Sequence, residues 1–174
     1  ERLREPFFQS HYPGSGQWDI RQAGNAGGGL AEGDNDAWNT LNNRLQASNV
    51  NSRSNWERAM ELVDPIAMAD YFLLNIYGAT WDWPNNNWAS ARERSPDGRY
   101  RFYVWDAEGA FGHPRRTGNS NSNKPVNFNT ISEDLLSRTD STSRIFQRLE
   151  RWPEFRLILA DRIHKHFFNR GTLD

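Results

Sequence analysis

Hydrophobic positions recur at helical spacing through the middle and end of this chain. Near its start they are scattered by Gly and Pro. Trp38, Leu41 and Leu45 fall at i, i+3 and i+7 and predict a helix to about Ala47, capped by Asp34 or Asp36. A second, short helix runs from Asn55-Trp56 to Val63. Asp64-Pro65 then restarts the chain, with Asp as N-cap and Pro at the first helical position. Ile66, Ala69, Leu73, Ile76 and Tyr77 follow at helical spacing until Gly78, and this helix is apolar on most sides, as a central buried helix should be. Near the end, Ser141 or Thr142 caps a helix to Arg151. Trp152-Pro153 opens another, striped by Phe155, Ile158, Leu159, Ile163 and Phe167. Arg and Lys lie on the outer faces of both.

Between these helices the period changes. Residues 88–94 can extend, Ser95-Pro96-Asp97-Gly98 is a strong turn signal, and Arg99 to Trp105 returns as a strand. That strand alternates Tyr100, Phe102 and Val104 with Arg101, Tyr103 and Trp105. Residues 6–34 read as irregular, broken by Pro13, Gly14, Gly16 and Gly27-Gly28-Gly29. Gly24-Asn25-Ala26-Gly27-Gly28-Gly29 fits neither a dinucleotide fingerprint nor a phosphate-loop spacing, because Ala26 and the missing Lys spoil both; it predicts a mobile loop. Residues 112–130 read as a surface excursion. The expected architecture is α+β: a mostly helical body with one antiparallel hairpin over a loop at 79–87.

Composition narrows the function classes. At 174 residues the chain suits one domain, and its formal net charge of -1 gives no electrostatic case for nucleic acid or an anionic membrane. No apolar run is long enough to span a bilayer. Without Cys, disulfides and thiolate metal sites are excluded. Eight Trp in a chain only 36% hydrophobic mean that large rings carry much of the core. The chain opens at Glu1-Arg2 without an initiator Met, which predicts a processed or truncated start.

The candidate chemistry lies in the loop and just beyond the hairpin. Asp82 and Asn87 stand five residues apart, and Asp106 follows the returning strand. Phosphoryl transfer needs this set: a carboxylate to orient the attacking hydroxyl, and an amide and a second carboxylate for divalent cations that offset phosphate charge. Glu108 points the same way as Asp106 if the strand continues, and adds a possible ligand. Each residue singly also suits a turn or cap. His164 and His166, two apart on a helix, cannot share a face and do not read as a metal pair. His11 and His113 have no partner in sequence. Arg115-Arg116 reads as a solvated loop, with contact to an acidic or phosphorylated substrate as the alternative.

Asp82-Trp83-Pro84-Asn85-Asn86-Asn87-Trp88, then Ser95-Pro96-Asp97-Gly98, then Phe102-Tyr103-Val104-Trp105-Asp106-Ala107-Glu108 and Phe111-Gly112, resemble the CotH kinase family of atypical kinases. The resemblance runs from Glu1-Arg2 into the C-terminal helices and is densest from Asp70 to Gly112. Gly33-Asp34 with Ala37-Trp38 resembles the family's lead-in to its first C-lobe helix. It implies ATP-dependent phosphorylation of protein Ser/Thr hydroxyls with Mg²⁺ or Mn²⁺. It makes Asp82 the catalytic Asp, and Asn87 and Asp106 metal ligands with Glu108 beside them. Tyr100 becomes the ring that stacks on adenine and Asn86 a further nucleotide contact, with Trp105 assigned to the core. Many members carry Asp where this chain has Glu108, so the metal geometry is expected to differ. The family's N-terminal lobe lies before the Glu-Arg pair, so the resemblance implies a C-terminal lobe alone, in an extracytoplasmic protein. Three alternatives stay open: a carbohydrate-binding or surface module built on Trp- and Asn-rich loops, a glycoside hydrolase using Asp82 with Asp106 or Glu108, and a catalytically dead kinase-like domain. An exposed strip of Trp81, Trp83 and Trp88 would favour the sugar platform; burial of these rings around Asp82 would not.

Overall fold

The structure is a computed structural model that describes residues 3–12, 14, 16–24, 29–113, 124–168 and 170–173. The glycine run at 25–28, the Arg115-Arg116 pair and the opening Glu1-Arg2 lie outside the described residues. The architecture is α+β, as the pattern predicts, but its sheet is larger than one hairpin.

Four antiparallel strands form the sheet: β1 (Trp18–Gln22), β2 (Leu30–Glu32), β3 (Trp88–Glu93) and β4 (Arg101–Val104), in the order β2-β1-β3-β4. β1 and β2, with helix α1 (Glu5–His11) before them, occupy the segment expected to be irregular. β1 alternates Trp18 and Ile20 with Asp19 and Arg21, and both faces of it are buried. Trp18 and Ile20 pack with Phe8, Ala89 and Ala91 under α1. Arg21 faces the other layer, where its guanidinium lies 4.4 Å from the Trp38 ring.

That other layer is the helical body. α2 (Asp36–Leu45), α3 (Arg53–Met60) and α4 (Pro65–Gly78) form where the periodicity places them. The Asp64 side chain accepts from the amides of Ile66 and Ala67 to cap α4. α4 buries Met68, Ala69, Tyr71, Phe72 and Leu73 but leaves Ile66, Leu74 and Tyr77 exposed, so it is buried on all sides but one. A π-helical turn at Ile131–Leu136 leads to α5 (Ser141–Leu149), whose cap is Asp140 rather than Ser141 or Thr142. α6 (Pro153–Phe167) lies against α4 and buries only Phe155 of its expected stripe; Ile158 and Leu159 pack half-buried on the core, Phe167 meets Tyr77 of α4 edge-on, and Ile163 is exposed. Arg162 of α6 holds Asp70 of α4 with two bonds of 2.6 Å. His166 Nε2 also reaches Asp70, at 3.1 Å, so its side chain joins the Arg162–Asp70 contact between α4 and α6.

A polar hub joins the sheet to the helical body. Asp19 accepts from Arg94 Nε at 2.7 Å, Arg92 at 3.4 Å and the Asp34 amide at 3.0 Å, just ahead of α2. Gly33 turns beside it at a φ of 83°, where an added Cβ would stand 2.4 Å from Asp19 Oδ1.

Candidate active site

α4 ends at Gly78, and Ala79 turns the chain with a left-handed φ of 45° into the loop at 79–87. Trp83 anchors this loop: its ring is 1% exposed, and its Nε1 donates to the Tyr71 hydroxyl at 2.7 Å. The Trp83-Pro84 peptide is cis. Asp82 is thus held immediately beside a buried ring while remaining exposed itself. The Asn86 amide donates to the Asp82 carbonyl at 2.7 Å, and Asn86 Nδ2 donates to Asp82 Oδ2 at 3.0 Å. The Asn86 side chain therefore orients the carboxylate.

The second segment arrives after β4. The strand stops at Val104, and Asp106 leads into a 3₁₀ turn at Ala107–Gly109, so Glu108 is delivered by that turn and not by a continuing strand. Two contacts pin this turn to the loop. Asn87 Nδ2 donates to the Trp81 carbonyl at 3.2 Å and the Asp106 carbonyl at 3.4 Å. The Trp81 amide donates to the Gly109 carbonyl at 3.3 Å, and the Trp81 ring packs so close that a Cβ on Gly109 would lie 1.2 Å from its Cδ1.

Asp82, Asn87 and Asp106 have left-handed φ values of 61°, 56° and 55°. Asp and Asn adopt that region most readily among residues with a side chain. The unusual backbone at all three is held by the anchors just described.

The carboxyls repel one another. The Asp106 pKa is raised by partial burial, then by the charge of Glu108 and a side-chain hydrogen bond with it, and further by the charge of Asp82. Among the described residues no group of three or more His, Cys, Asp or Glu is arranged to hold a metal ion. The nearest donor set is the Asp106–Glu108 pair with the Asn87 amide. Oxygen donors crowded with negative charge suit a hard divalent cation that keeps several of its waters, and on that chemistry these residues fit one.

A cavity of about 420 Å³ opens beside this pair, lined by Asp82, Asn86, Asn87, Trp88 and Trp105 with Leu3, Arg4 and Gln22. Asp106 and Glu108 stand next to it and do not line it. The two aromatic assignments are corrected. Tyr100 is 0% exposed, packed edge-on against Trp38 with ring centroids 5.3 Å apart, so it cannot stack on a nucleobase. Trp105, assigned to the core, is 43% exposed and lines the cavity. Strand alternation accounts for the exchange: Tyr100 and Phe102 face the helical body, the opposite parity faces the α1 side, where Tyr103 meets Phe8 with ring centroids 5.4 Å apart, and Trp105, one residue past β4, lies at the cavity. Trp83 and Trp88 are buried and Trp81 packs on Gly109, so these three rings form no exposed strip.

Sequence reasoning passed over Lys124. This buried side chain donates to the carbonyls of Thr80 at 3.0 Å and Trp83 at 2.6 Å, one on each side of Asp82, and is paired with Asp134. Burial draws its pKa below the usual lysine value, an effect opposed by Asp134. It follows a Gly- and Asn-rich stretch and is isolated from other charges in sequence, so no local pattern marks it.

Residues 9–170, nearly the whole chain, match the family model described as CotH kinase protein. The chain belongs to the CotH kinase family. No curated protein and no solved structure matches it. The matched region contains the sheet, the loop at 79–87 and the acidic turn, so the family assignment rests on nearly the whole chain and not on one motif. Among the described residues no helix is long and apolar enough to cross a membrane.

Proposed function

We propose that this member of the CotH kinase family transfers the γ-phosphoryl group of ATP to Ser/Thr hydroxyls of protein substrates in the presence of Mg²⁺ or Mn²⁺. The carrying observation is that Asp82, Asn86, Asn87 and Trp105 line one cavity while Asn87 is bonded to the backbone of Asp106. Asp82, exposed and oriented by Asn86, accepts the proton of the attacking hydroxyl. Asp106, Glu108 and Asn87 are the oxygen donors for the cation, which when bound offsets the charge spread over the transferring phosphoryl. Trp105 offers the adenine an exposed ring, the role assigned from sequence to Tyr100. Arg4 supplies a guanidinium in the same cavity for phosphate oxygens. The buried Trp rings speak against a flat sugar-binding platform.

Transfer of labelled phosphate by the full-length protein tests this reading. Asp106→Asn is expected to lower transfer at least about 100-fold, in line with loss of positioned charge stabilisation. Equal transfer by wild type and variant would defeat the proposal.

A further inference from the structure

We infer that Lys124, through its pair with Asp134, is a positioning residue that sets the backbone carrying Asp82. Its catalytic consequence rests on the phosphotransferase reading; its structural consequence does not. A loop that turns through left-handed positions cannot satisfy all its inward carbonyls by helix or strand bonding, and buried carbonyls need donors. An ammonium has three N–H groups, and Lys124 has three acceptors: Thr80 O, Trp83 O and Asp134 Oδ2. The two carbonyls bracket Trp81-Asp82. The loop is therefore clamped from below on both sides of its carboxylate.

The clamp continues into the helical body. Asp134 sits in the π-helical turn, and its carbonyl accepts from Ser143 Oγ of α5 at 2.5 Å. Thr130, at the start of the same segment, reaches the Ile76 carbonyl of α4 at 3.5 Å. Lys124 Nζ also lies 5.3 Å from the Phe128 ring and 6.0 Å from the Trp83 ring. Lys124 has no place in the cavity that holds Asp82, so it acts through the loop and not on substrate.

Removing Lys124 alone would leave the buried Asp134 with only Arg138, 3.9 Å away and half in solvent, as counter-charge, which destabilises for an unrelated reason. The test therefore replaces both, Lys124→Met with Asp134→Leu, in the full-length protein. Amide exchange at residues 81–86 is expected to quicken at least tenfold, with α4 and α6 unchanged. Transfer should show kcat down at least tenfold and the KM for ATP within about threefold. In an Asp82→Asn background the same pair should cost less than twofold, because the carboxylate it positions is gone. A folded double variant with unaltered exchange and kcat would overturn the inference, as would a further tenfold loss in the Asp82→Asn background. Should the double variant not fold, Lys124→Gln with Asp134→Asn keeps the shape; exchange at 81–86 should rise at least threefold, and unchanged exchange overturns the inference. A wild type that transfers no phosphate refutes the proposed function, while the exchange arm still decides the role of Lys124.

Discussion

Tyr100 and Trp105 sit on the same returning segment, yet one is walled into the core and the other lines the cavity. Trp105→Ala is expected to weaken ATP binding about tenfold, the scale of one ring stacked on a base, with little change in stability. Tyr100→Phe should leave ATP affinity unchanged. Its hydroxyl is buried without a hydrogen-bond partner among the described residues, so removing it should leave stability unchanged or raise it by up to about 1 kcal/mol. Titration of ATP binding and denaturant unfolding check the pair; a large affinity loss in Tyr100→Phe would return the stacking role to that ring. Asp106 has a pH signature. An acid whose folded pKa is raised stabilises the fold while protonated; that contribution is complete below the ordinary Asp range and is lost as pH rises through the raised value. The metal-free protein should therefore lose stability over the window just above the usual Asp pKa. On the proposed reading the deprotonated carboxyls hold the cation, so Mn²⁺ should stabilise more as pH rises through it. Unfolding series with and without Mn²⁺ test this, and Asp106→Asn should flatten both dependences.

At the scale of elements, the acidic turn and the Asp82 loop behave as one unit because Gly109 has no side chain. Gly109→Ala would drive a methyl into the Trp81 ring, so loop or turn must move. The expected cost is about 1–3 kcal/mol, typical of overpacking, with transfer falling further than the folded fraction. Activity that merely tracks stability would uncouple the two segments. α2, α4, α5 and α6 were legible because each carries several apolar residues at one period, although α2 and α5 start from Asn35 and Asp140 and not from the caps expected. α1 and β1 were not: β1 is five residues long and lies among glycines and prolines that dominate any window around it. Its Trp-Asp-Ile-Arg alternation is a true strand signal, hidden because Asp19 and Arg21 are buried polar residues where alternation leads one to expect an exposed face.

For the whole molecule, the sheet and the helical body are joined through few charges, chiefly Asp19. Asp19→Asn leaves Arg92 and Arg94 without their shared carboxylate and should cost about 2–3 kcal/mol, the range for hydrogen bonds to charged groups and buried pairs. Urea unfolding checks it; an effect under about 0.5 kcal/mol would show the arginines re-pairing elsewhere. Long-range pairings of this kind are invisible along a sequence, since Asp19 and Arg94 have no pattern that links them. The same limit hid Lys124, whereas Asp82, Asn87 and Asp106 could be read because their spacing within one loop–hairpin–turn unit is itself the signal. Side-chain type foretold that unit; which ring faced the cavity depended on strand parity fixed only by the packing of Trp38.

The left-handed backbone at positions 82, 87 and 106 has an outcome for how chemistry can be lost here. Exchange between aspartate and asparagine at these points changes a charge while suiting the same twist, so on the proposed reading a descendant can become silent as a catalyst and keep its contour. Alanine is less favoured there than Asp or Asn, although Ala79 shows that the chain can hold it in that region, so variants made with it would mix a shifted backbone with missing reactivity. Amide-for-acid exchanges are accordingly the clean way to switch this centre off.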